Sequence, residues 1–481
     1  MNRKSLKKNM LLNTLQKVLS IVFPLITFPY ISRILNIADV GKINFTASIV
    51  SYFVLFSGLG IANYATREGA RIRENREKLT LYCSELFSIN LFATVIAYIG
   101  LIIVILLSDK ISSYGLLIII QSFMIIGNTL GVFWIYAIEE EYSYITIRTI
   151  IVQLVSVFLM FGLVRAEEDY IIYAMITVFA NVGANIFSFI HSRRYVQLKL
   201  VFNKNLLRHL KPILVIFATT IAITIYVESD TTLLGLLQND YSVGVYSRAT
   251  KVYTIIKQLA SAVVMVALPN LSSINLKSDF NIYANKANSI FKTSLLIVLP
   301  LGIGLLLTSR EIIYLVAGRS YIDAITPLQT LGIASIFANL SAYMTYCILL
   351  PLKLEKVQLF ATIFAAVINV ILNLILIPVY SQDGAAFTTL VAEASVLIIE
   401  IVYLLVIYKI KLDFFKLSRL EILSLTLGVL WIIIVCTIIT SSTSVILIGF
   451  LLKFVLSTVG YFFIQYMLCF RGIFHRSNSA K

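Results

Sequence analysis

About fourteen long apolar segments fill this chain of 481 residues, and its basic residues collect in every second gap between them. That pattern leaves few folds open. A water-soluble domain of this size has no core large enough to hide so much apolar surface, and 59% of the residues are hydrophobic against 13% charged. In lipid the same surface faces its preferred solvent, and a helix closes its own backbone hydrogen bonds. The expected fold class is therefore an all-α polytopic membrane protein.

Spans are read near 10–32, 43–65, 80–107, 114–138, 146–164, 169–190, 212–237, 244–272, 290–309, 322–350, 357–378, 384–408, 420–440 and 444–469. Of the 39 Lys and Arg residues, 27 fall in the N-terminus, the even-numbered gaps and the tail. The richest of these are Arg67, Arg71, Arg73, Arg76 and Lys78 at 67–78, and Arg193, Arg194, Lys199, Lys204, Arg208 and Lys211 at 191–211. Six lie on the other side: Arg33, Lys42, Lys110, Arg165, Arg310 and Arg319. Cytoplasmic loops carry excess Lys and Arg, so both termini are expected in the cytoplasm of a bacterial plasma (inner) membrane. The net charge of +15 then reflects loops facing anionic lipid rather than nucleic acid. Lys17 and Pro24 interrupt the apolar run after the basic start, so 10–32 reads as an uncleaved first span.

The gaps exclude several chemistries. Outer connections such as 108–113 and 379–384 are short, and the largest inner one, 191–211, holds about 20 residues, too few for a soluble catalytic or nucleotide-binding domain. Gly41-Lys42 is followed by Ile43, not by the Ser or Thr of a phosphate-binding loop. Cys83, Cys347, Cys436 and Cys469 have no C-x-x-C spacing, so packing rather than a disulfide or metal is expected. No metal, no cofactor and no enzyme activity is expected. The three histidines, His191, His209 and His475, lie at inner edges. The acids Glu139, Glu140 and Glu141 break the basic trend and are expected to meet the neighbouring arginines at the surface.

The chain also carries an internal repeat. ISRILNIADVGKINFTAS (31–48) aligns with LGLLQNDYSVGVYSRATK (234–251), placing Val40-Gly41 on Val243-Gly244. Six spans separate the copies, so both halves share one orientation and a pseudo-two-fold along the membrane normal is implied. The expected domains are an N-terminal lobe at 1–205, a C-terminal lobe at 206–410, and two further helices with the tail at 411–481.

Charges inside spans are functional candidates because leaving them in lipid is costly. Lys17 lies in the first span, facing either a central cavity or the inner headgroups. Arg33, with Asp39 nearby, marks an outer mouth. Arg248, Lys251 and Lys257 lie along the eighth span, and Arg248 and Lys251 share a face. Glu228 and Asp230 in the seventh could form one ion-pair cluster with them; a structural clasp and a phosphate site both remain open. Arg grips phosphate with two parallel hydrogen bonds where Lys is a point charge, which ranks Arg248 above Lys251. Glu393 and Glu400, seven apart on one face, are candidates for proton or sodium coupling, or for partnering a cavity base. Arg148 reads as an interfacial anchor and Lys453 as structural. Tyr52, Tyr226 and Tyr343, inside spans, are positioned to stack on sugars.

The stretch FPYISRILNIADVGKINFTASIVSYFVLFSGLGIANYATREGARIREN (28–75) resembles the N-terminal region of bacterial polysaccharide repeat-unit flippases, the Wzx type of the MATE-like MOP superfamily. Ser32-Arg33-Ile34-Leu35, Gly41 and Tyr64-Ala65-Thr66-Arg67-Glu68 carry the likeness; Asn36-Ile37 stands where a Gly often follows the Leu. ESDTTLLGLLQNDYSVGVYSRATKVY (228–253) is similar to the same family. The resemblance implies two six-helix lobes plus two helices, and alternating access that moves an undecaprenyl-pyrophosphate-linked glycan between leaflets for capsule, O-antigen or related polymers. It implies membrane lipids, a polysaccharide polymerase and glycosyltransferases as partners. A cation-coupled drug exporter of the same fold is the rival, but its buried acids are missing from the first two spans. A lipid II flippase is a second rival. A membrane glycan polymerase or transferase, the third, is opposed by the short outer loops.

Overall fold

A computed structural model describes residues 23–272, 274, 279–407, 415–442 and 445–470, and all regular structure among them is helical. Eleven of the described helices are long and apolar enough to cross a membrane. The chain is a multi-pass membrane protein. It divides into two compact units, Met1–Gly244 and Val245–Lys481.

In the first unit, α1 (23–34) leads into α2 (Ile37–Gly58), whose first turn is capped by the Asn36 side chain accepting from the Ala38 amide. Leu59 and Gly60 are both left-handed (φ 48° and 70°) and stop that helix before α3 (Ile61–Ile72), which carries Arg67 and Arg71. α4 (Arg76–Leu107) is capped by Asn75. Its 32 residues span about 48 Å, more than the hydrocarbon layer requires. Phe92, Ile96, Ile99, Ile103 and Leu106 form an exposed apolar stripe along it, the surface a lipid neighbour covers. A short helix, α5 (Asp109–Ser112), precedes α6 (Gly115–Gly131); left-handed Val132 separates α6 from α7 (Phe133–Ile138). α8 (Tyr142–Leu163), α9 (Tyr170–Ser192) and α10 (Leu207–Leu237) complete the unit. α2 packs on α4, α6 and α10, and α9 on α6 and α8. One end is sealed by Tyr64, Leu79, Tyr82, Leu86, Trp134, Tyr136 and Ile213.

α11 (Asp240–Ser272) carries the chain out of the first unit after Gly244. It bears Arg248, Lys251 and Lys257 and is not among the eleven apolar helices. The second unit continues with α12 (Phe280–Val316), α13 (Ile325–Met344), α14 (Glu355–Val402), α15 (Arg419–Ser442) and α16 (Ile446–Gln465). α14 holds two of the expected spans. Ser381, at φ 50° and ψ −128°, reverses it, and the Thr388 hydroxyl then reaches Asn373 across the turn (2.5 Å). Gly384 is required at this bend, because a Cβ there would lie 2.7 Å from the Leu376 carbonyl oxygen. α13 packs between α12 and α14, around a core of Tyr283, Tyr343, Met344, Cys347, Val357 and Leu397; α15 and α16 pack on each other and on α12. The four cysteines are all free thiols, three of them buried.

Candidate functional site

The two glycines matched by the sequence repeat come together. A Cβ at Gly41 would lie 1.8 Å from the Asp240 carbonyl oxygen and 3.0 Å from the Gly244 amide nitrogen. One at Gly244 would lie 2.1 Å from the carbonyl oxygen of Ile37. The start of α2 and the start of α11 therefore cross backbone on backbone, an approach only glycine permits. Neighbours grip the turn between α10 and α11. The Tyr114 hydroxyl donates to Asp240 Oδ1 (2.7 Å), and Lys110 Nζ donates to the carbonyls of Leu236 and Gln238 (3.0 Å each). Asp39 pairs with Lys42 at 2.8 Å, while Arg33 is exposed at the end of α1.

Further along α10, Asp230 is buried and Glu228 half-buried. Thr232 ties this stretch to α2: its hydroxyl donates to the Glu228 carbonyl (3.0 Å) and to Ser48 Oγ (2.8 Å), and lies 3.2 Å from the Tyr52 hydroxyl. Lys17 lies outside the described residues.

The second unit gathers the remaining candidates around α11, α13 and α14. Lys257 Nζ meets Glu393 Oε1 at 2.5 Å, and the Tyr253 hydroxyl donates to the same oxygen at 2.7 Å. One turn on, Ser261 donates to Asn339 Oδ1 (3.0 Å). Glu400 is fully buried and accepts from Thr345 at 3.3 Å through Oε1, Ser341 is also a neighbour, and its Oε2 has no closely matched hydrogen-bond partner among the described residues. Glu393 and Glu400 share a helix face but hold separate partners. Arg248 is buried with its guanidinium 5.5 Å from the Tyr321 ring, and Lys251 is exposed. Asn369, Asn373 and Thr388 form a fully dry amide–hydroxyl cluster between the two arms of α14.

Other expectations meet their geometry here. The acidic run does engage the neighbouring arginines: Arg76 pairs with Glu139 and Arg73 with Glu140, both at 2.8 Å, and Tyr195 donates to Glu141. Arg148 is not an interfacial anchor but is buried between α7, α8 and α9. Tyr343 is wholly buried and donates to the Ala287 carbonyl, so it has no face for a sugar. Lys453 pairs with Glu311 at 2.6 Å beside an apolar cavity of about 330 Å³ lined by α12, α15 and α16.

Sequence reasoning passed over one cluster. Glu85, inside α4 and fully buried, takes Arg208 (2.7 Å) and His209 (2.9 Å), and the Tyr64 hydroxyl sits 3.0 Å from His209 Nδ1. The signal was available: a lone acid within the 80–107 span meets the same test as Glu393. Immediately before it and one turn after it, Ser84 and Ser88 accept from the Lys199 and Val201 amides and staple the 193–206 connection onto α4.

Known proteins align with this architecture. A family model described as polysaccharide biosynthesis protein matches residues 6–275. A curated Escherichia coli (strain K12) protein, "Putative O-antigen transporter", is 24% identical over 407 residues, covering 82% of this chain and 95% of that one. Among solved structures, lipid II flippase MurJ in an inward closed conformation superposes with a TM-score of 0.74 at 17% identity, covering 97% of this chain and 99% of that one. An inward-facing multidrug resistance MATE family transporter of the MOP superfamily gives 0.52 at 14% identity, over 80% and 97% of the two chains. These structural likenesses show the MATE-like fold.

Proposed function

Since the chain belongs to the polysaccharide biosynthesis protein family, we propose that it is a flippase for a polyprenyl-pyrophosphate-linked oligosaccharide. The observation that carries the reading is the family match itself, which contains both motif stretches, 28–75 and 228–253. The relative named as an O-antigen transporter, aligned over 82% of the chain, supports the same substrate class. A doubly charged pyrophosphate with its sugars cannot cross hydrocarbon unaided. The protein must supply bases for the phosphates and leave the polyprenyl tail in lipid.

In this proposal transport runs by alternating access in the inner membrane with both termini cytoplasmic, as the distribution of Lys and Arg supports. Lys17, Arg33, Arg248 and Lys251 serve the pyrophosphate, and the Lys257–Glu393 pair opens and re-forms as charge enters and leaves. Glu400, with one oxygen unpartnered, is the proposed site of proton or sodium coupling. Asp39, Glu228 and Asp230 act at the gate formed where Gly41 and Gly244 cross. Glycosyltransferases that build the glycan and a polymerase that consumes it are the proposed partners.

The test uses proteoliposomes loaded with a short-chain polyprenyl-pyrophosphate oligosaccharide, with its arrival in the other leaflet read by a membrane-impermeant hydrolase. The wild type is expected to move the lipid. Lys17→Ala, Arg248→Ala and Lys251→Ala are expected to stall while keeping their unfolding midpoints. A wild type that leaves the lipid in place and exchanges an organic cation for protons overturns the reading in favour of a drug exporter.

A further inference from the structure

Arg148 is the most conspicuous buried charge of the first unit that the transport reading does not use. It sits two turns into α8 with 6% of its surface exposed. Nη1 donates to the Ala184 carbonyl of α9, and the guanidinium lies 5.1 Å from the Phe133 ring and 5.9 Å from the Tyr144 ring. Nε and Nη2 are buried with no acceptor among the described residues. None of the described contacts of Arg148 is to a carboxylate. The acids at this end of the unit are engaged elsewhere: Glu139 by Arg76, Glu140 by Arg73, Glu141 by Tyr195.

A guanidinium cannot shed its proton to escape burial. Two aromatic faces offset only part of the desolvation. The Nε/Nη2 edge is one of the two flat forks with which arginine grips a phosphate or carboxylate. A second unpaired donor or acceptor stands close by. His191, two turns beyond Ala184 on α9, has its ring 3.9 Å from that of Tyr144, and its Nε2 is buried without a partner. The charges of Arg148 and Arg194 both act on it.

The surroundings say what kind of anion fits. Ile147 on α8 and Phe187 and Ile190 on α9 flank the site and are all more than half exposed, as lipid-facing residues are. Exposed Arg193 and Arg194 follow at the end of α9. Tyr144 lies over the guanidinium from the first turn of α8, held by an exposed hydrogen bond to the Phe187 carbonyl (3.2 Å) and by ring contacts with His191 (3.9 Å) and Tyr136 (5.6 Å). It is the side chain placed to turn aside. Basic pockets between membrane helices take lipid headgroups in this way.

We propose that the Nε/Nη2 edge of Arg148, beneath Tyr144, seats the phosphate of an anionic phospholipid from the surrounding leaflet. This lipid supplies the missing counter-charge and ties α7, α8 and α9 together. The proposal does not depend on the flippase reading.

The experiment delipidates the full-length protein in detergent and follows its thermal unfolding midpoint during titration with phosphatidylglycerol. Parallel arms use diacylglycerol with the same acyl chains and inorganic phosphate. Phosphatidylglycerol alone is expected to raise the midpoint. In Arg148→Met the concentration for half the shift should rise at least about tenfold, the loss expected when hydrogen bonds to a charged group are removed. Tyr144→Ala, which uncovers the fork without touching it, should lower that concentration. An equal response in Arg148→Met, or an equal response to diacylglycerol, overturns the proposal. A shift with inorganic phosphate alone makes the site one for free anions and overturns the lipid assignment. If Arg148→Met does not fold, Tyr144→Ala decides: a half-point unchanged from wild type refutes the covered fork.

Discussion

Two of the three Lys–Glu pairs described in the second unit, Lys453–Glu311 and Lys257–Glu393, differ in what surrounds them. Lys453 and Glu311 keep 2% and 13% of their side-chain surfaces, beside a cavity whose walls are almost wholly apolar. Lys257 keeps 34%, and its Glu393 has a second donor in Tyr253. The first pair is sealed, so neither charge can leave without stranding the other in a medium that cannot solvate it. The second has a replacement donor and an exposed partner, so it can part and re-form. The same chemistry makes a rivet in one place and a switch in another, and the decisive variable is solvent access rather than residue type.

The comparison is broken most directly at the sealed pair. Lys453→Met leaves Glu311 uncompensated and should lower stability by about 3–5 kcal/mol. The double variant Lys453→Met with Glu311→Leu should recover most of it, because well-packed apolar replacements of buried pairs are close to neutral. Thermal unfolding in one detergent measures both. Equal losses in single and double variants would mean that the pair was not the source of the effect.

At the open pair the expectation reverses. Lys257→Met should change stability by only about 1 kcal/mol, since the ammonium is a third exposed and Tyr253 still serves Glu393. Transport in the proteoliposome assay should nonetheless fall at least about tenfold, because a charge that acts in one state of the cycle contributes more than 1.4 kcal/mol there. A variant with full transport removes Lys257 from the cycle. Glu400 extends the series. Its Oε2 is unpaired, so Glu400→Gln should leave the unfolding midpoint unchanged or raise stability by about 1 kcal/mol. Its predicted loss is confined to the response of transport to an imposed proton or sodium gradient.

Much of this was legible in the sequence because lipid imposes a simple code. Apolar length gave the helices, and the repeat drew attention to Gly41 and Gly244, whose backbones lie in contact. The residues most easily read were those out of place, such as Lys257, Glu393 and Glu400. Partners were harder. Nothing in the sequence says that Lys257 and Glu393, 136 positions apart, touch, because the pairing depends on how α11 packs against α14. One helix break was hidden, at left-handed Val132 inside the 114–138 span, whereas the reversal at Ser381 falls in the 379–384 connection that the span reading places. Arg148 was misread because it lies near one end of the expected 146–164 span, where basic residues commonly anchor. Only the packing of α7 and α9 buries it.

The smallest expected effect sharpens the same distinction at the surface. Glu139 and Glu140 are adjacent, and each pairs with an arginine at 2.8 Å, yet their side chains are 2% and 53% exposed. Distance alone would rate the two pairs as equals. Arg73→Ala removes the open one and should cost less than about 1 kcal/mol. Even that should fade in 1 M salt, where screening acts within about 3 Å. Arg76→Ala leaves the buried Glu139 carboxylate without its guanidinium, so its loss should be larger and should persist in salt. If the two variants respond alike at both ionic strengths, exposure is not what separates them, and the contrast between the two lysine pairs loses its basis as well.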